Sequence, residues 1–324
     1  MRVAVLIPCY NEELTIRSVV TDFRRELPDA AIWVFDNNSS DNTVAEARAA
    51  GAKVVLESRQ GKGHVVQSMF RTIDADIYVM VDGDGTYPAE VVNSLIAPIA
   101  NHEADMVIGS RLHTGSDSEF RLLNKVGNYA FLFVLKWIFG VRLTDLLSGY
   151  RTFSRRLVRG MPLFGGGFET EVEMTMKCLQ RNYRIVEVPV NLVSRPAGSE
   201  SKIRIVRDGI LILSTMLALF RDYKPLSFFG AIGLLFMFLG LIPGVMVLLE
   251  YERTGIVQRL PSAILATGLV LAGMINIVVG LILHTIAQRF REVDQQLQFV
   301  TENLQRAAGA VRPVEHFDDD DIVA

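Results

Sequence analysis

Two aspartates one residue apart, Asp82 and Asp84, are the residues of this sequence best suited to chemistry. They follow the apolar run 76–81 and lie in the segment Asp82-Gly-Asp84-Gly-Thr86, whose glycines favour a tight turn. Hard cations such as Mg2+ and Mn2+ bind carboxylate oxygens and keep phosphate oxygens among their ligands. The pattern therefore indicates either a divalent metal held against a diphosphate or an ordinary turn that ends a buried strand.

Two further polar clusters follow predicted strands nearer the N-terminus. Tyr10-Asn11-Glu12 comes after the first strand, and the segment 36–41, Asp36-Asn-Asn-Ser-Ser-Asp41, comes after the second. Ligands of parallel α/β sheets bind at the carboxyl ends of the strands. Three polar clusters at three strand ends therefore predict a single binding site, although Asp41 alone is typical of a helix cap.

The elements that would position these clusters alternate along the chain. Strands are predicted over 3–7, 31–35, 53–56, 77–81 and 106–108, and helices over 13–27, 43–50, 63–73 and 89–99. This alternation indicates an α/β fold with a largely parallel sheet and helices on both faces.

The last third of the chain has a different composition. Residues 226–249 and 262–286 are nearly uncharged, and each is about as long as the 20 residues that a membrane-spanning helix needs. The short connection 250–261 predicts a two-helix transmembrane hairpin. Basic residues flank this hairpin outside the connection (Lys202, Arg204, Arg207, Arg221, Lys224, Arg289 and Arg291). By the positive-inside rule they predict an integral protein of the inner or plasma membrane whose N-terminal domain is cytosolic.

The remaining segments complete the predicted organisation. The predicted parts are a cytosolic domain over 1–200, an amphipathic juxtamembrane helix over 201–224, two spans within 225–288, a cytosolic helix over 289–311 and an acidic disordered tail over 312–324. Residues 122–141 could form a buried helix or lie in the membrane interface. Apolar residues at helical spacing in 291–307 make a candidate self-association helix, and hence a homo-oligomer. The net charge of −3 gives no indication of a nucleic-acid partner.

Several motifs together resemble a known family. Pro8-Cys-Tyr-Asn-Glu12, Asp36 to Asp41, Gly61-Lys-Gly63 and Asp82-Gly-Asp84, in this order, resemble family 2 glycosyltransferases of the GT-A fold, a Rossmann-like, mostly parallel architecture. Later segments are similar to the polyprenyl-phosphate sugar synthases of that family: Gly109-Ser-Arg111, Asp145-Leu-Leu-Ser-Gly-Tyr-Arg151 and Arg195-Pro-Ala-Gly-Ser-Glu-Ser-Lys202. The resemblance covers about residues 3 to 225.

The resemblance implies roles for individual residues. The nucleotide sugar would be held by Pro8, Tyr10, Asn11, Glu12, Asp36, Lys62, Asp82, Gly83, Arg111, Glu169 and Ser201. Asp82 and Asp84 would hold Mg2+ or Mn2+, with Asp84 the surer ligand. Residues assigned to the reaction itself are Asp84, Asp145, Arg151, Arg195 and Lys202, the basic ones binding phosphate. Several relatives carry Gln where this chain has Thr86, so a third protein ligand for the metal is not expected.

Three assignments have alternatives. Glu169 and Glu171 follow three glycines, so this acidic pair could contact the donor sugar or follow a merely flexible loop, and Glu171 or Glu173 could instead be a helix N-terminal charge. Asp145 could act as a base, orient the acceptor, or orient Arg151. Arg195 and Lys202 could bind anionic lipid headgroups instead of a substrate phosphate.

The resemblance implies an inverting transfer of one sugar from a UDP- or GDP-sugar to undecaprenyl or dolichyl phosphate at the cytosolic membrane face. Such a lipid phosphate is already anionic near neutral pH, so a strong base is unnecessary. A processive polysaccharide synthase is disfavoured by the two predicted spans. An inert membrane-anchored scaffold is disfavoured by the carboxylates and basic residues. A nicotinamide enzyme is disfavoured because no Gly-x-Gly-x-x-Gly follows the first strand.

Overall fold

The computed structural model describes residues 1–111, 140–141, 143–163, 170–193 and 224–309, together with 136, 214, 217, 218 and 220–222. The chain forms two compact units, Met1–Phe220 and Arg221–Ala324. Several predictions lie outside the described residues, namely the sites Glu169, Arg195, Ser201 and Lys202, the tail 312–324, and most of the segments 122–141 and 201–224.

The first unit is built on a seven-stranded sheet. Its strands are β1 (Val3–Cys9), β2 (Ala31–Asp36), β3 (Lys53–Leu56), β4 (Ile77–Met80), β5 (Met106–Ser110), β6 (Arg151–Ser154) and β7 (Ile185–Pro189). Their order is β3-β2-β1-β4-β6-β5-β7. Only β6 runs antiparallel to its neighbours among these strands. The mostly parallel sheet is therefore confirmed, while β6 and β7 were not predicted.

Helices cover both faces of the sheet. They are α1 (Ile16–Glu26), α2 (Thr43–Ala49), α3 (Lys62–Thr72), α4 (Val92–Ala100), α5 (Arg155–Gly160) and α6 (Thr170–Gln180). Successive strand residues point to opposite faces, so Val5 and Ile7 join the core under α1 and α4, whereas Ala4 and Leu6 join the core under α3 and α6. Each fully buried Leu or Ile contributes about 1.5–3 kcal/mol.

This topology creates the crevice that a ligand would need. Strand β1 is parallel to β2 on one side and to β4 on the other, and the strand order reverses between them. The loops that follow β1 and β4 therefore diverge at the carboxyl edge of the sheet. These loops carry the Tyr10 cluster and the Asp82 turn.

The second unit contains two long helices, α7 (Pro225–Thr254) and α8 (Leu260–Gly309). Both are long and apolar enough to cross a membrane. The backbones touch where glycines face each other, because a Cβ on Gly233 would lie 2.7 Å from the Gly273 carbonyl oxygen. Helix α8 does not end after its apolar part but continues to Gly309, so the predicted second span and the described part of the predicted helix 289–311 form one helix.

Candidate active site

The loops after β1 and β2 form one continuous rim. The Asn11 backbone N–H donates to Ser39 Oγ at 2.9 Å, and the Ser40 N–H donates to Asn11 Oδ1 at 2.8 Å. The Glu12 N–H donates to Thr43 Oγ1 at 2.8 Å. Asn11 has a φ of 54°, a left-handed conformation that Asn tolerates better than most residues. Two clusters separated in the sequence are thereby held together.

The rim contains a buried carboxylate with an unused acceptor. Asp36 is the last residue of β2, and its Oδ2 accepts from the Ser39 N–H at 3.1 Å. Its Oδ1 is buried and has no hydrogen-bond partner among the described residues. Burying an unsatisfied acceptor costs about 1–3 kcal/mol, so this oxygen suits a ligand donor. On the neighbouring strand β1, whose Cys9 pairs with Asp36, Pro8 is half-buried, and Tyr10 directly after the strand exposes 41% of its surface.

Glycines allow the Asp82 turn to pack tightly on both sides. A Cβ on Gly83 would lie 2.7 Å from Cys9 Sγ, and Thr15 Oγ1 donates to the Gly83 carbonyl at 2.7 Å. On the other side, a Cβ on Gly149 would lie only 2.2 Å from Asp82 Oδ2. The Asp82 carboxylate therefore lies directly against the backbone that precedes β6.

Asp84 is buried and is oriented by Thr86. Its Oδ1 accepts from the Thr86 N–H at 3.1 Å and from the Thr86 hydroxyl at 2.7 Å. Within the described part of the chain, no group of three or more His, Cys, Asp or Glu side chains could hold a metal ion. The oxygen donors of Asp82 and Asp84 fit Mg2+ or Mn2+, provided that phosphate and water oxygens complete the coordination.

Lys62 joins the Asp82 turn to helix α6. Its Nζ lies 2.6 Å from Asp82 Oδ1 and 2.6 Å from Glu171 Oε1. The N–H of the preceding Gly61 donates to Asn37 Oδ1 at 2.7 Å, which fixes the start of α3. Burial alone would lower the pKa of Lys62, but the charges of Asp82 and Glu171 outweigh it and raise that pKa. Lys62 is therefore a charged, buried ammonium at the crevice.

A second ion pair joins the half-buried Arg111 to the fully buried Asp145. The Arg111 Nε lies 2.6 Å from Asp145 Oδ2, and its Nη2 lies 2.9 Å from Oδ1. Burial alone would raise the pKa of Asp145, but the charge and hydrogen bonds of Arg111 lower it. Glu187 supports the pair by accepting the backbone N–H of Asp145 at 3.0 Å. The described contacts of the Asp145 carboxylate are thus to Arg111, and the predicted contact of Asp145 with Arg151 is not among them.

Arg151 is fully buried, and all three guanidinium nitrogens bind protein atoms. Nε donates to the Ser148 carbonyl at 2.8 Å, Nη2 to the Leu146 carbonyl at 2.6 Å, and Nη1 to Thr175 Oγ1 at 2.8 Å. Burial lowers its pKa. This environment does not favour the predicted phosphate contact, and it indicates that Arg151 holds the 146–148 loop against α6.

Tyr87 lies between the two ion-paired groups. Its hydroxyl accepts the Gly149 N–H at 3.0 Å and lies 3.5 Å from Ser148 Oγ. Ser148 Oγ in turn donates to the Gly109 carbonyl at 2.6 Å, two residues before Arg111. Burial raises the pKa of Tyr87, which keeps it a neutral hydrogen-bonding group.

Some of these contacts had no clear signal in the sequence. Glu171 was predicted as a donor-sugar contact or a helix N-terminal charge, and the residues flanking it do not indicate Lys62 as its partner. Tyr87, Gly149 and Glu187 were not singled out at all. A glycine two residues before Arg151 could have suggested a close backbone approach.

Comparison with known proteins identifies the family. The model of glycosyl transferase family 2 matches residues 4–160. The chain is 32% identical over 297 residues to "Glycosyltransferase AglJ" of Haloferax volcanii, covering 91% of this chain and 97% of that protein. It is 31% identical to the "Undecaprenyl-phosphate mannosyltransferase" of Micrococcus luteus, covering 62% and 87%.

Solved structures show the same fold. A glucosyl-3-phosphoglycerate synthase from Mycobacterium tuberculosis, crystallised with Mn2+ and UDP-glucose, matches with a TM-score of 0.58 at 22% identity, over 67% of this chain and 78% of that one. At this identity the match supports the fold alone. The family model and the sequence relatives lead to the conclusion that this chain belongs to glycosyl transferase family 2 and is a glycosyltransferase.

Proposed function

We propose that this enzyme transfers one sugar, with inversion, from a nucleotide-diphosphate sugar to a polyprenyl phosphate at the cytosolic face of a membrane. The observation that carries the proposal is the pairing of two cations, the largely buried Lys62 and the half-buried Arg111, with carboxylates at the carboxyl edge of the sheet. Relatives named for dolichyl-phosphate hexose transfer and undecaprenyl-phosphate mannose transfer support the lipid acceptor. The two apolar helices support a membrane location.

The donor would bind across the crevice between β1 and β4. The unsatisfied Asp36 oxygen and the Tyr10 ring suit the nucleoside, because one accepts a hydrogen bond and the other offers a stacking face. Asp82 and Asp84 would hold Mg2+ or Mn2+, which supplies positive charge where the leaving diphosphate gains negative charge. Lys62 lies beside Asp82 and is positioned to add to that stabilisation.

The acceptor would need orientation more than deprotonation. An oxygen of the lipid phosphate attacks the anomeric carbon as the bond from that carbon to the nucleoside diphosphate breaks. The lowered pKa of Asp145 makes it a weak base, so its role is to hold Arg111 for a phosphate group. Arg195, Ser201 and Lys202 remain proposed contacts to the acceptor phosphate.

The reaction can be tested in membranes that contain the full chain. They would be incubated with labelled UDP- and GDP-sugars and with undecaprenyl or dolichyl phosphate, and lipid products would be identified by mass spectrometry. We expect one sugar per lipid with inverted anomeric configuration. A polymeric product would indicate a processive synthase, and no product with any donor would contradict transfer.

The membrane side can be tested separately. Single cysteines placed in the connection at residues 256–259 would be labelled in intact cells by a reagent that cannot cross membranes. We expect labelling there and none at a cysteine placed in the α2 region. The reverse pattern would contradict a cytosolic active site.

A further inference from the structure

One ammonium in the site serves two carboxylates that come from different parts of the fold. Lys62 Nζ contacts Asp82 of the turn after β4 and Glu171 of α6, each at 2.6 Å. The side chains of Lys62 and Glu171 are only 14% and 5% exposed, and that of Asp82 is 28% exposed. The three groups carry two negative charges and one positive charge.

We propose that Glu171 is a positioning residue that retains Lys62 when Asp82 changes partners on donor binding, an inference that rests on the proposed donor site. Asp82 Oδ1 now accepts from Lys62. A divalent cation at the same oxygen would be repelled by the ammonium, so Lys62 must withdraw. A buried ammonium that lost its only counter-charge would be strongly disfavoured. Glu171 supplies the second counter-charge and keeps Lys62 beside the diphosphate.

The chain contains a matched control on the same helix. Glu173 is also buried, and its Oε1 lies 2.6 Å from Lys177 Nζ, the same separation as in the pair of Glu171 and Lys62. The contacts described for Lys177 are to Glu173 and to the Pro162 carbonyl, and neither of them involves Lys62 or Asp82. Glu173→Gln therefore removes an equally buried charge of α6 while leaving the Lys62 group intact.

The test measures Mn2+ binding to the full chain in detergent by electron paramagnetic resonance. We expect Glu171→Gln to raise the Mn2+ Kd about tenfold, the effect of one charge-assisted hydrogen bond, because Asp82 is then the one carboxylate left to Lys62 among the described residues. Lys62→Met should lower the Kd, since it removes the competitor for Asp82. In the Lys62→Met background, Glu171→Gln should change the Kd less than about twofold.

Two outcomes would overturn the inference. The first is a Glu171→Gln Kd equal to that of the wild type or of Glu173→Gln. The second is a tenfold effect that persists without Lys62, which would mean that Glu171 attracts the cation directly. The Mn2+ binding measurements contain no lipid acceptor. If the proposed polyprenyl phosphate acceptor were wrong, the measured Kd values would therefore be unaffected. Conversely, an unchanged Kd in an enzyme that still transfers sugar to lipid rejects only the partner exchange.

Discussion

The two edges of the sheet both carry networks of ion pairs, yet they differ in burial. At the carboxyl edge, Arg111 and Asp145 are 32% and 1% exposed. At the amino edge, Asp74 contacts Arg2, Arg155 and Arg159 at distances of 2.7 to 3.0 Å, but its side chain is 39% exposed and that of Arg2 is 64% exposed.

The difference in burial implies that ion pairs have different roles at the two edges of the sheet. Exposed pairs contribute about 0–1 kcal/mol because water screens them. Buried pairs pay several kcal/mol in desolvation for each ion, and breaking one of them leaves an uncompensated charge. Stability alone therefore does not explain the charged carboxyl edge, and the proposed binding of a charged ligand would explain it. Substitutions at the two edges can test this distinction.

The largest expected effect is a difference in the rate of sugar transfer between the variants Asp84→Ala and Asp74→Ala. Removing Asp84 deletes the proposed metal ligand and should lower the transfer rate by about 10³-fold or more, a typical loss for a major electrostatic contact to a transition state. Asp74→Ala should leave the rate within about twofold of the wild type, since it breaks only exposed pairs. Rates of lipid-linked product formation would measure both. Equal losses in the two variants would contradict the distinction.

The next effect concerns stability. Asp145→Asn removes the buried carboxylate that binds the partly exposed Arg111 guanidinium through two hydrogen bonds. It should lower the free energy of unfolding by about 2 kcal/mol, within the range for hydrogen bonds to charged groups. Asp74→Asn should lower it by less than about 1 kcal/mol. Thermal unfolding in detergent would compare the two. If Asp145→Asn were as stable as Asp74→Asn, the buried pair would not be the stronger constraint.

A smaller effect is expected at Gly149. In Gly149→Ala the new methyl group would start 2.2 Å from Asp82 Oδ2, so the carboxylate or the loop must shift. Such overpacking costs about 1–3 kcal/mol, and it should weaken nucleotide binding because Asp82 moves. Gly268→Ala on α8 is a control, since its Cβ meets nothing within 4 Å. Calorimetric nucleotide titration would measure both, and unchanged affinity in Gly149→Ala would show that Asp82 is not critically placed.

The smallest expected effect is on stability and concerns an ion pair in which one partner is buried and the other is exposed. Glu57 is 9% exposed but its partner Arg59 is 47% exposed, and the hydrogen bond from Arg59 lowers the pKa of Glu57 to about 2. Since this is below the unfolded value of about 4.3, the stabilisation is complete above that pH and is lost as pH falls toward 2.

Solvent screening of Arg59 reduces the expected contribution to about 1 kcal/mol. Glu57→Gln should therefore be about 1 kcal/mol less stable than the wild type at pH 6, and the difference should disappear near pH 2. Thermal unfolding across this range would measure it. A difference that stays constant from pH 6 to pH 2 would contradict the role of the ionised pair.

The sequence was sufficient for features that depend on local pattern. Five strands, the helices between them and the polar clusters at strand ends follow from periodicity and turn chemistry. Strand β6 could not be predicted in the same way, because Arg151-Thr-Phe-Ser154 is short and contains a buried arginine whose partners come from other segments. The pairing of Lys62 with Glu171 likewise depends on how α3 and α6 pack. Contacts between distant segments are set by tertiary structure, and a single sequence does not encode them as a local signal.

The most direct test of the charged carboxyl edge as a metal-dependent nucleotide site is calorimetric binding of UDP and GDP to the full chain with and without Mn2+. We expect at least one nucleotide to bind much more tightly with Mn2+, and we expect Asp84→Ala but not Asp74→Ala to abolish that gain. Binding that is independent of Mn2+, or a gain that survives in Asp84→Ala, would contradict the account.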